Sequence, residues 1–181
     1  MQETIADDDW LVVLAIGTTT PFESAHPLVQ AVATTSFALV DVIVTDASAL
    51  DRGDRLYVGP GAWEQVVGID RQLSYYTLPA VVQGVLGPTI ERIIRRNEDR
   101  FIEAFNTTTL PDRDEHPLEL LPGLSADCRE EIVAERSQRR FSDFAALTDR
   151  VACCEQPCAL VAERVLAELC GDDDTYRWLT A

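Results

Sequence analysis

The stretch LELLPGLSADCREEIVAERSQRRFSDFAAL, residues 118–147, decides the fold of the C-terminal half of the chain. A short apolar helix ends at Leu121, and the Pro-Gly pair that follows is typical of a tight turn. Ser125 is a favourable cap for a second helix, whose apolar residues follow the helical spacing. A third helix is predicted to begin near Phe141. These features predict a set of short helices arranged around the turn at residues 122–125.

Helical patterns continue on both sides of this stretch. Gly87-Pro88 is predicted to end one helix and begin the next, in which isoleucines and phenylalanines recur at helical spacing opposite a charged face. We therefore predict an all-α domain over residues 79–181. Its predicted helices are Pro88–Phe105, Pro117–Leu121, Ser125–Ser137, Ser142–Val151 and Pro157–Leu169.

The first 78 residues have a different composition, rich in Val, Thr, Gly and aromatic residues. Short apolar runs alternate with Gly, Pro and Asp turns, which is typical of a small barrel or sandwich. We predict an OB-like β-barrel over residues 1–78, so that the fold class is α+β with the barrel before the helical domain. The predicted strands are Leu11–Ile16, Phe37–Val44, Leu56–Val58, Val66–Ile69 and Leu73–Tyr76.

The charge of the chain is strongly negative, with 31 acidic residues against 15 basic ones and a formal net charge of −16. Every basic residue is Arg, and Lys is absent. Either the acidic surface repels nucleic acid and selects a protein partner, or the composition is that of a halophilic archaeal protein. In molar salt the Debye length is about 3 Å, so a net negative charge does not prevent a local Arg cluster from docking on phosphate. The absence of Lys favours the halophilic explanation.

The cellular setting is expected to be the cytoplasm. No apolar run approaches the roughly 20 residues that span a bilayer, and three Asp residues precede the first apolar run where a secretory signal would carry positive charge. The five cysteines are therefore expected to be reduced thiols. A zinc site at Cys153, Cys154, Cys158 and Cys170 is the alternative, but the second matched pair of a structural site is missing. We expect no metal and no cofactor.

The turn at residues 122–125 has the chemistry of a phosphate-binding site. It presents backbone N–H groups at the start of a helix, where the helix dipole favours an anion. Gly123 can adopt a positive φ and allows close approach. The predicted nucleic-acid-binding residues are the turn residues and four arginines near it: Pro122, Gly123, Leu124, Ser125, Arg129, Arg136, Arg139 and Arg140.

This segment resembles the helix-hairpin-helix module of many DNA- and RNA-binding proteins, whose turn usually reads Gly-hydrophobic-Gly. The chain matches at Gly123 and Leu124 but has Ser125 at the second glycine. Ala126 and Asp127 follow, where such modules often carry Lys. Packing or protein docking is the alternative role for the module.

A longer series of residues resembles the archaeal domain of unknown function 655 family, DUF655. The series consists of Asn97-Glu98-Asp99-Arg100-Phe101, Phe105-Asn106, residues 116–123 (HPLELLPG) and Arg140-Phe141-Ser142-Asp143-Phe144. The resemblance implies an OB-like domain joined to a helix-hairpin-helix domain, and RNA rather than DNA as the ligand. It also implies an involvement in RNA metabolism, and hence the alternative of an adaptor that binds transcription or ribosome-assembly proteins.

The chain carries none of the common nucleotide-binding or hydrolase motifs, and the two histidines are far apart in sequence. We therefore predict a non-enzymatic protein without catalytic residues. Four aromatic residues of the β domain are candidate stacking platforms for bases, with packing as the alternative. They are Tyr57, Trp63, Tyr75 and Tyr76.

Overall fold

The computed structural model describes residues 10–17, 26–60, 65–110, 116–171 and 176–180. The chain divides into two compact units, one formed by Met1–Thr89 with Glu168–Ala181 and the other by Ile90–Ala167. Both points of division fall within helices. The domain boundary predicted between residues 78 and 79 stays a prediction.

The first unit contains a five-stranded antiparallel sheet. Its strands are β1 (Trp10–Ile16), β2 (Leu28–Ala33), β3 (Leu39–Val44), β4 (Arg55–Tyr57) and β5 (Val66–Leu73). They are arranged in the order β4-β1-β2-β3-β5, so β4 and β5 are the two edges. Alternate side chains of the inner strands and of the edge strand β4 form a buried aliphatic cluster, which includes Leu11, Val13, Val29, Val40, Val42 and Leu56.

The predicted OB-like closed barrel is wrong, because the sheet is an open, curled half-barrel. A barrel closes only when the first and last strands of the sheet pair with each other. Within the described residues β4 pairs only with β1, and β5 only with β3. β4 has three residues against the eight of β5, which leaves it little backbone with which to close the sheet. The α+β class and the order of sheet before helices are as predicted.

The strand pattern also differs from the prediction in detail. β2 was not predicted, although its sequence LVQAVA pairs along both neighbouring strands. The strand predicted at Val66–Ile69 extends to Leu73 as β5, whose pairing with β3 includes two register irregularities. The strand predicted at Leu73–Tyr76 is wrong, because Tyr75–Thr77 forms a short 3₁₀ segment. Phe37 has φ 58°, a conformation that strands exclude, and β3 consequently begins two residues later at Leu39.

Six α-helices and two short 3₁₀ segments follow the strands in the described residues. The helices are α1 (Ala80–Arg96), α2 (Glu98–Phe101), α3 (Glu103–Asn106), α4 (Ala126–Gln138), α5 (Phe144–Arg150) and α6 (Pro157–Cys170). The 3₁₀ segments are Tyr75–Thr77 and Pro117–Leu120. Among the helices that the structure describes, none combines the length and apolar character that a membrane span requires.

The helix boundaries around Pro88 and Asn97 correct the prediction. Pro88 lies inside α1 instead of ending a helix. A proline ring crowds the carbonyl four residues earlier, and that residue is Gly84, which adds no side chain to the crowding. The predicted continuation to Phe105 is interrupted at Asn97, whose φ of −121° is not helical. The Asn97 side chain donates to the Ile93 carbonyl at 2.8 Å and so satisfies an acceptor at the end of α1.

Candidate nucleic-acid interface

The turn at residues 122–125 is held by the 3₁₀ segment before it. Leu118 and Leu121 are buried, and the Leu124 N–H lies 3.5 Å from the Leu121 carbonyl. Gly123 is exposed and has φ 78°, so it occupies the left-handed region that the sequence predicted for it. Pro122 and Leu124 are half-buried on either side. The turn therefore exposes its backbone at Gly123 while its flanks are anchored.

Ser125 caps α4, as predicted. Its Oγ accepts a hydrogen bond from the Cys128 N–H at 3.2 Å, and its φ and ψ of −67° and 159° are extended. The first N–H groups of a helix have no acceptor within the helix. With 13 residues, α4 is long enough for its dipole to add partial positive charge at this end. Asp127, in the first turn, stabilises the helix but opposes an anion.

Arg129 is the predicted arginine nearest to this end of α4. It is half-buried and lines a shallow pocket of about 390 Å³ together with Ala126 and Val133. The titratable groups on the same pocket are His116, Glu119 and Glu130. Within the described residues Arg129 forms no ion pair with a carboxylate. Its charge is therefore available to a ligand, although two carboxylates share the pocket.

Arg136 has a structural role instead. Its guanidinium donates to the Phe105 carbonyl at 3.1 Å and to the Thr107 carbonyl at 2.7 Å, and lies 2.8 Å from His116 Nε2. Burial lowers the pKa of Arg136, which still leaves the group charged at neutral pH. The structure therefore uses this predicted phosphate ligand to hold the segment after α3.

His116 occupies an unusual position between two N–H donors. Its Nδ1 accepts from the Leu118 N–H at 3.2 Å, and its Nε2 faces Arg136. A neutral imidazole has one lone-pair nitrogen, so it accepts fully from only one of these donors, and a protonated ring accepts from neither. Burial, followed by the charge of Arg136, lowers the pKa of His116. The ring is therefore held neutral, and its tautomer decides whether it accepts from the Leu118 N–H or from Arg136.

Arg139 and Arg140 lie at the opposite end of α4. Arg139 is the exposed C-cap, and Arg140 forms an ion pair with Glu103. Thirteen residues of helix separate this end from Ser125, about 20 Å at 1.5 Å per residue. On a duplex this distance corresponds to about six base steps at 3.4 Å each. The structure thus brings Arg129 together with the turn, but not Arg139 or Arg140.

Four residues of the series that carried the family resemblance form hydrogen bonds in two pairs. Asn106 accepts from the Phe141 N–H and donates to the Phe141 carbonyl, both at 2.9 Å. Glu98 accepts from the Phe144 N–H at 2.5 Å. These bonds join α2 and α3 to the segment that leads into α5. The series is therefore a structural signature of this unit.

The cysteines differ from the prediction of five reduced thiols. Cys128, in the first turn of α4, forms a disulfide with Cys153, 25 residues later. Cys154, Cys158 and Cys170 are free, and burial raises the pKa of the Cys154 thiol to about 11. The prediction failed because spacing along the sequence does not show which two sulfurs meet. The bond ties the start of α4 to the loop before α6.

Sequence reasoning missed an aromatic cluster on the sheet. Of the predicted stacking residues, Tyr57 lies on β4, and Trp63 is outside the described residues. Tyr57 is opposite Trp10, which was not predicted, and Arg55 lies over the Trp10 ring. Finding this cluster requires the β1–β4 register, which local sequence does not specify. Tyr75 and Tyr76 pack edge to face in the 3₁₀ segment before α1.

Comparisons with known proteins agree with the resemblance found in the sequence. A family model described as "Protein of unknown function (DUF655)" matches residues 9–181. The chain is 26% identical over 152 residues to the "Uncharacterized protein MJ0038" of Methanocaldococcus jannaschii, which covers 84% of this chain and 69% of that protein. It is similar to the crystal structure of Af1531 from Archaeoglobus fulgidus, a DUF655 protein. The TM-score is 0.84 at 29% identity, over 96% of this chain and 100% of the other.

Proposed function

The chain belongs to the DUF655 family, whose function is unknown, and we propose that it is a protein that binds the phosphate backbone of nucleic acid. The contact is made by the turn at residues 122–125 and by the first amides of α4. Arg129 supplies the nearby positive charge. Such binding makes and breaks no covalent bond, so none of these residues is assigned a catalytic role.

The observation that carries the proposal is the left-handed, exposed Gly123 next to the capped start of α4. A phosphate needs several N–H donors that converge from one side, and a turn entering a helix provides them. A side chain at position 123 would stand between ligand and backbone, whereas glycine leaves the backbone open. A contact of this kind recognises phosphate and not base sequence. The proposal therefore covers both RNA and DNA, with RNA preferred on the family resemblance.

The charge around the turn limits the affinity. Arg129 is one cation, while Asp127, Glu119 and Glu130 oppose a phosphate. Each neutralised phosphate contributes a slope of about −0.9 to the dependence of log affinity on log salt for duplex DNA. With a single cation we expect a slope near −1, so binding persists at high salt. A basic interface with many lysines would lose affinity far more steeply.

The test is a matched pair of substitutions at the cap. Ser125→Asp and Ser125→Asn both place a good N-cap at the start of α4, so both preserve the helix. Asp adds a negative charge where the phosphate would bind, whereas Asn adds none. We expect S125D to weaken binding at least about tenfold, equivalent to about 1.4 kcal/mol, and S125N to leave it within about twofold. Filter binding with short duplex DNA, structured RNA and single strands, from ~0.1 to ~2 M KCl, measures the difference.

Thermal melts of both variants provide the control for folding. Equal melting temperatures with the expected difference in affinity support the proposal. Equal affinities of S125D and S125N, or no binding by the wild-type chain to any of the three nucleic acids, would overturn it.

The second candidate function is that of a protein-interaction adaptor, and a feature of β5 favours it. β5 is an eight-residue strand at the edge of the sheet, with Val67 43% and Ile69 39% exposed. Long edge strands with exposed apolar residues pair readily with another chain unless they are blocked. If the adaptor function is right, Ile69→Lys will release protein partners that otherwise remain bound after nuclease treatment. Loss of all partners on nuclease treatment alone would count against it.

A further inference from the structure

The cluster of Trp10, Arg55 and Tyr57 lies on one face of the paired strands β1 and β4. Trp10 is directly opposite Tyr57, and Val12 is opposite Arg55, so the side chains at these positions point to the same side of the sheet. The rings of Trp10 and Tyr57 have centroids 5.1 Å apart at an interplanar angle of 55°. The Arg55 guanidinium carbon lies 4.2 Å from the centroid of the Trp10 ring.

The cluster is exposed, but the backbone that carries it is fixed. Trp10 is 37% exposed, Arg55 is exposed and Tyr57 is half-buried. Leu11 and Leu56, the residues between them on the same strands, point to the other face and are completely buried. Their burial holds the two strands in register. The aromatic and guanidinium groups are thus presented to solvent from a rigid support, so little conformational entropy remains to be lost when a ligand binds.

From this arrangement we infer that the Trp10–Arg55–Tyr57 cluster is a binding site for unpaired nucleobases. Bases stack on aromatic rings and on the guanidinium plane of arginine, in a way that depends little on their identity. Arg55 also adds positive charge close to the phosphates that such bases carry. The bases of a duplex are already stacked on one another, so the site selects single strands. The inference rests on the proposed function, because both sites take nucleic acid as ligand.

The position of Arg55 argues against another ligand of aromatic clusters. Quaternary ammonium groups and methylated lysines bind over an open aromatic face through the cation–π attraction. The Arg55 guanidinium already lies over the face of Trp10, and its charge repels a second cation. A flat, electron-rich base meets no such repulsion and can stack on the outer plane of the Arg55 guanidinium.

The charges beside the cluster are mixed. Arg52, in the turn before β4, is tied by its Nε to the Leu14 carbonyl at 3.0 Å. Asp51 and Asp54 lie in the same turn, where the Asp54 carboxylate accepts from the Asp51 N–H. Counter-ion release at this site is therefore small, and its affinity depends on stacking. We expect single-strand binding there to change little with salt.

The experiment compares a stacking variant with a surface control on two nucleic acids. Trp10→Thr keeps a residue suited to a strand but removes the ring. Ile16→Thr replaces another exposed apolar residue of β1, 43% exposed, by threonine and serves as the control. We expect W10T to weaken binding of a short oligo-U or oligo-dT strand about 5- to 100-fold, the usual effect of losing one stacked base, and to leave duplex affinity unchanged. I16T is expected to change neither.

A second measurement covers the case in which W10T does not fold. In a chain with Trp63→Phe and Trp178→Phe, Trp10 is the remaining tryptophan, and a base stacked on it quenches its fluorescence. Quenching by the single strand but not by a duplex of the same length supports the site. Unchanged single-strand affinity of a folded W10T variant, or no quenching at saturating single strand, would overturn it.

The outcomes separate the two sites. If the phosphate site at residues 122–125 is wrong, S125D behaves as the wild type, while the Trp10 quenching by single strands remains. If the stacking site is wrong, S125D still weakens duplex binding, while W10T has no effect on single strands.

Discussion

The two ends of α4 carry the same type of residue in different surroundings. At its start, the Ser125 side chain accepts a hydrogen bond from one backbone N–H, and Gly123 leaves its backbone exposed to solvent. Arg129 has no carboxylate partner among the described residues. At its end, Arg136 donates to two carbonyls, and Arg140 forms an ion pair with Glu103. The difference shows that the arginines near the turn at residues 122–125 are not equivalent. An arginine that satisfies buried carbonyls is part of the fold, and its charge is already used.

The largest effect on stability is expected from reducing the disulfide between Cys128 and Cys153, which holds the N-terminal end of α4. A bridge across 25 residues stabilises by about 3.5 kcal/mol in the chain-entropy model. We expect a reductant to lower the free energy of unfolding in urea by up to about that amount. The double variant Cys128→Ser/Cys153→Ser serves as the control and should not respond to reductant. An identical urea midpoint of the wild type with and without reductant would show that the bridge does not contribute.

The second prediction concerns Asn106, which bonds the backbone of Phe141 just after the C-terminal end of α4. Asn106→Ala leaves both the N–H and the carbonyl of Phe141 buried and unpaired, at a cost of about 3 kcal/mol. The control is Asn97→Ala, which loses one hydrogen bond at an exposed residue and should cost less than about 1 kcal/mol. Urea unfolding measures both values. Similar losses for the two variants would mean that the hydrogen bonds of Asn106 to Phe141 are not specially stabilising.

Arg129 and Arg136 lie on the same helix, so substituting each in turn compares a ligand-binding role with a structural one. Arg136→Met should lower the free energy of unfolding by about 2 kcal/mol, because the Phe105 and Thr107 carbonyls lose a charged donor. Arg129→Met should cost less than about 0.5 kcal/mol but reduce the salt slope of duplex binding by about one. Urea unfolding and filter binding together give both quantities. The reverse result, with binding lost in R136M and stability lost in R129M, would contradict the division of roles.

The smallest effect is expected from pH. The native pKa of His116 is lowered, so the unfolded chain takes up a proton near pH 6.5 while the native ring stays neutral. The stability due to His116 is therefore fully present above about pH 6.5 and declines as the pH falls below it. His116→Gln removes the titrating group, and the difference between the wild-type and H116Q stability curves isolates its contribution. A difference that does not change between about pH 7.5 and 5.5 would show that His116 titrates alike in both states.

Local signals predicted much of the fold. The positive φ of Gly123 and the cap at Ser125 depend on residue type and nearest neighbours, and both were predicted. Two features depend on contacts between residues far apart in sequence. They are the failure of the edge strands β4 and β5 to pair with each other, and the disulfide between Cys128 and Cys153. Spacing along the chain does not show such contacts.

The candidate site divides in the same way. The turn at residues 122–125 could be predicted because its chemistry lies in four consecutive residues. The different roles of Arg129 and Arg136 could not be predicted, because they depend on the Phe105 and Thr107 carbonyls lying within hydrogen-bond distance of Arg136. The Trp10–Arg55–Tyr57 cluster was missed for the same reason, because it is created by strand register.

We propose that the start of α4 binds phosphate and that its end does not. A two-dimensional ¹H–¹⁵N NMR titration of the full chain with a short nucleic-acid duplex tests this difference residue by residue. We expect the amides of residues 123–127 to shift most and those of Arg139 and Arg140 to shift little. Shifts confined to the end of α4, or no amide shift at saturating duplex, would contradict it.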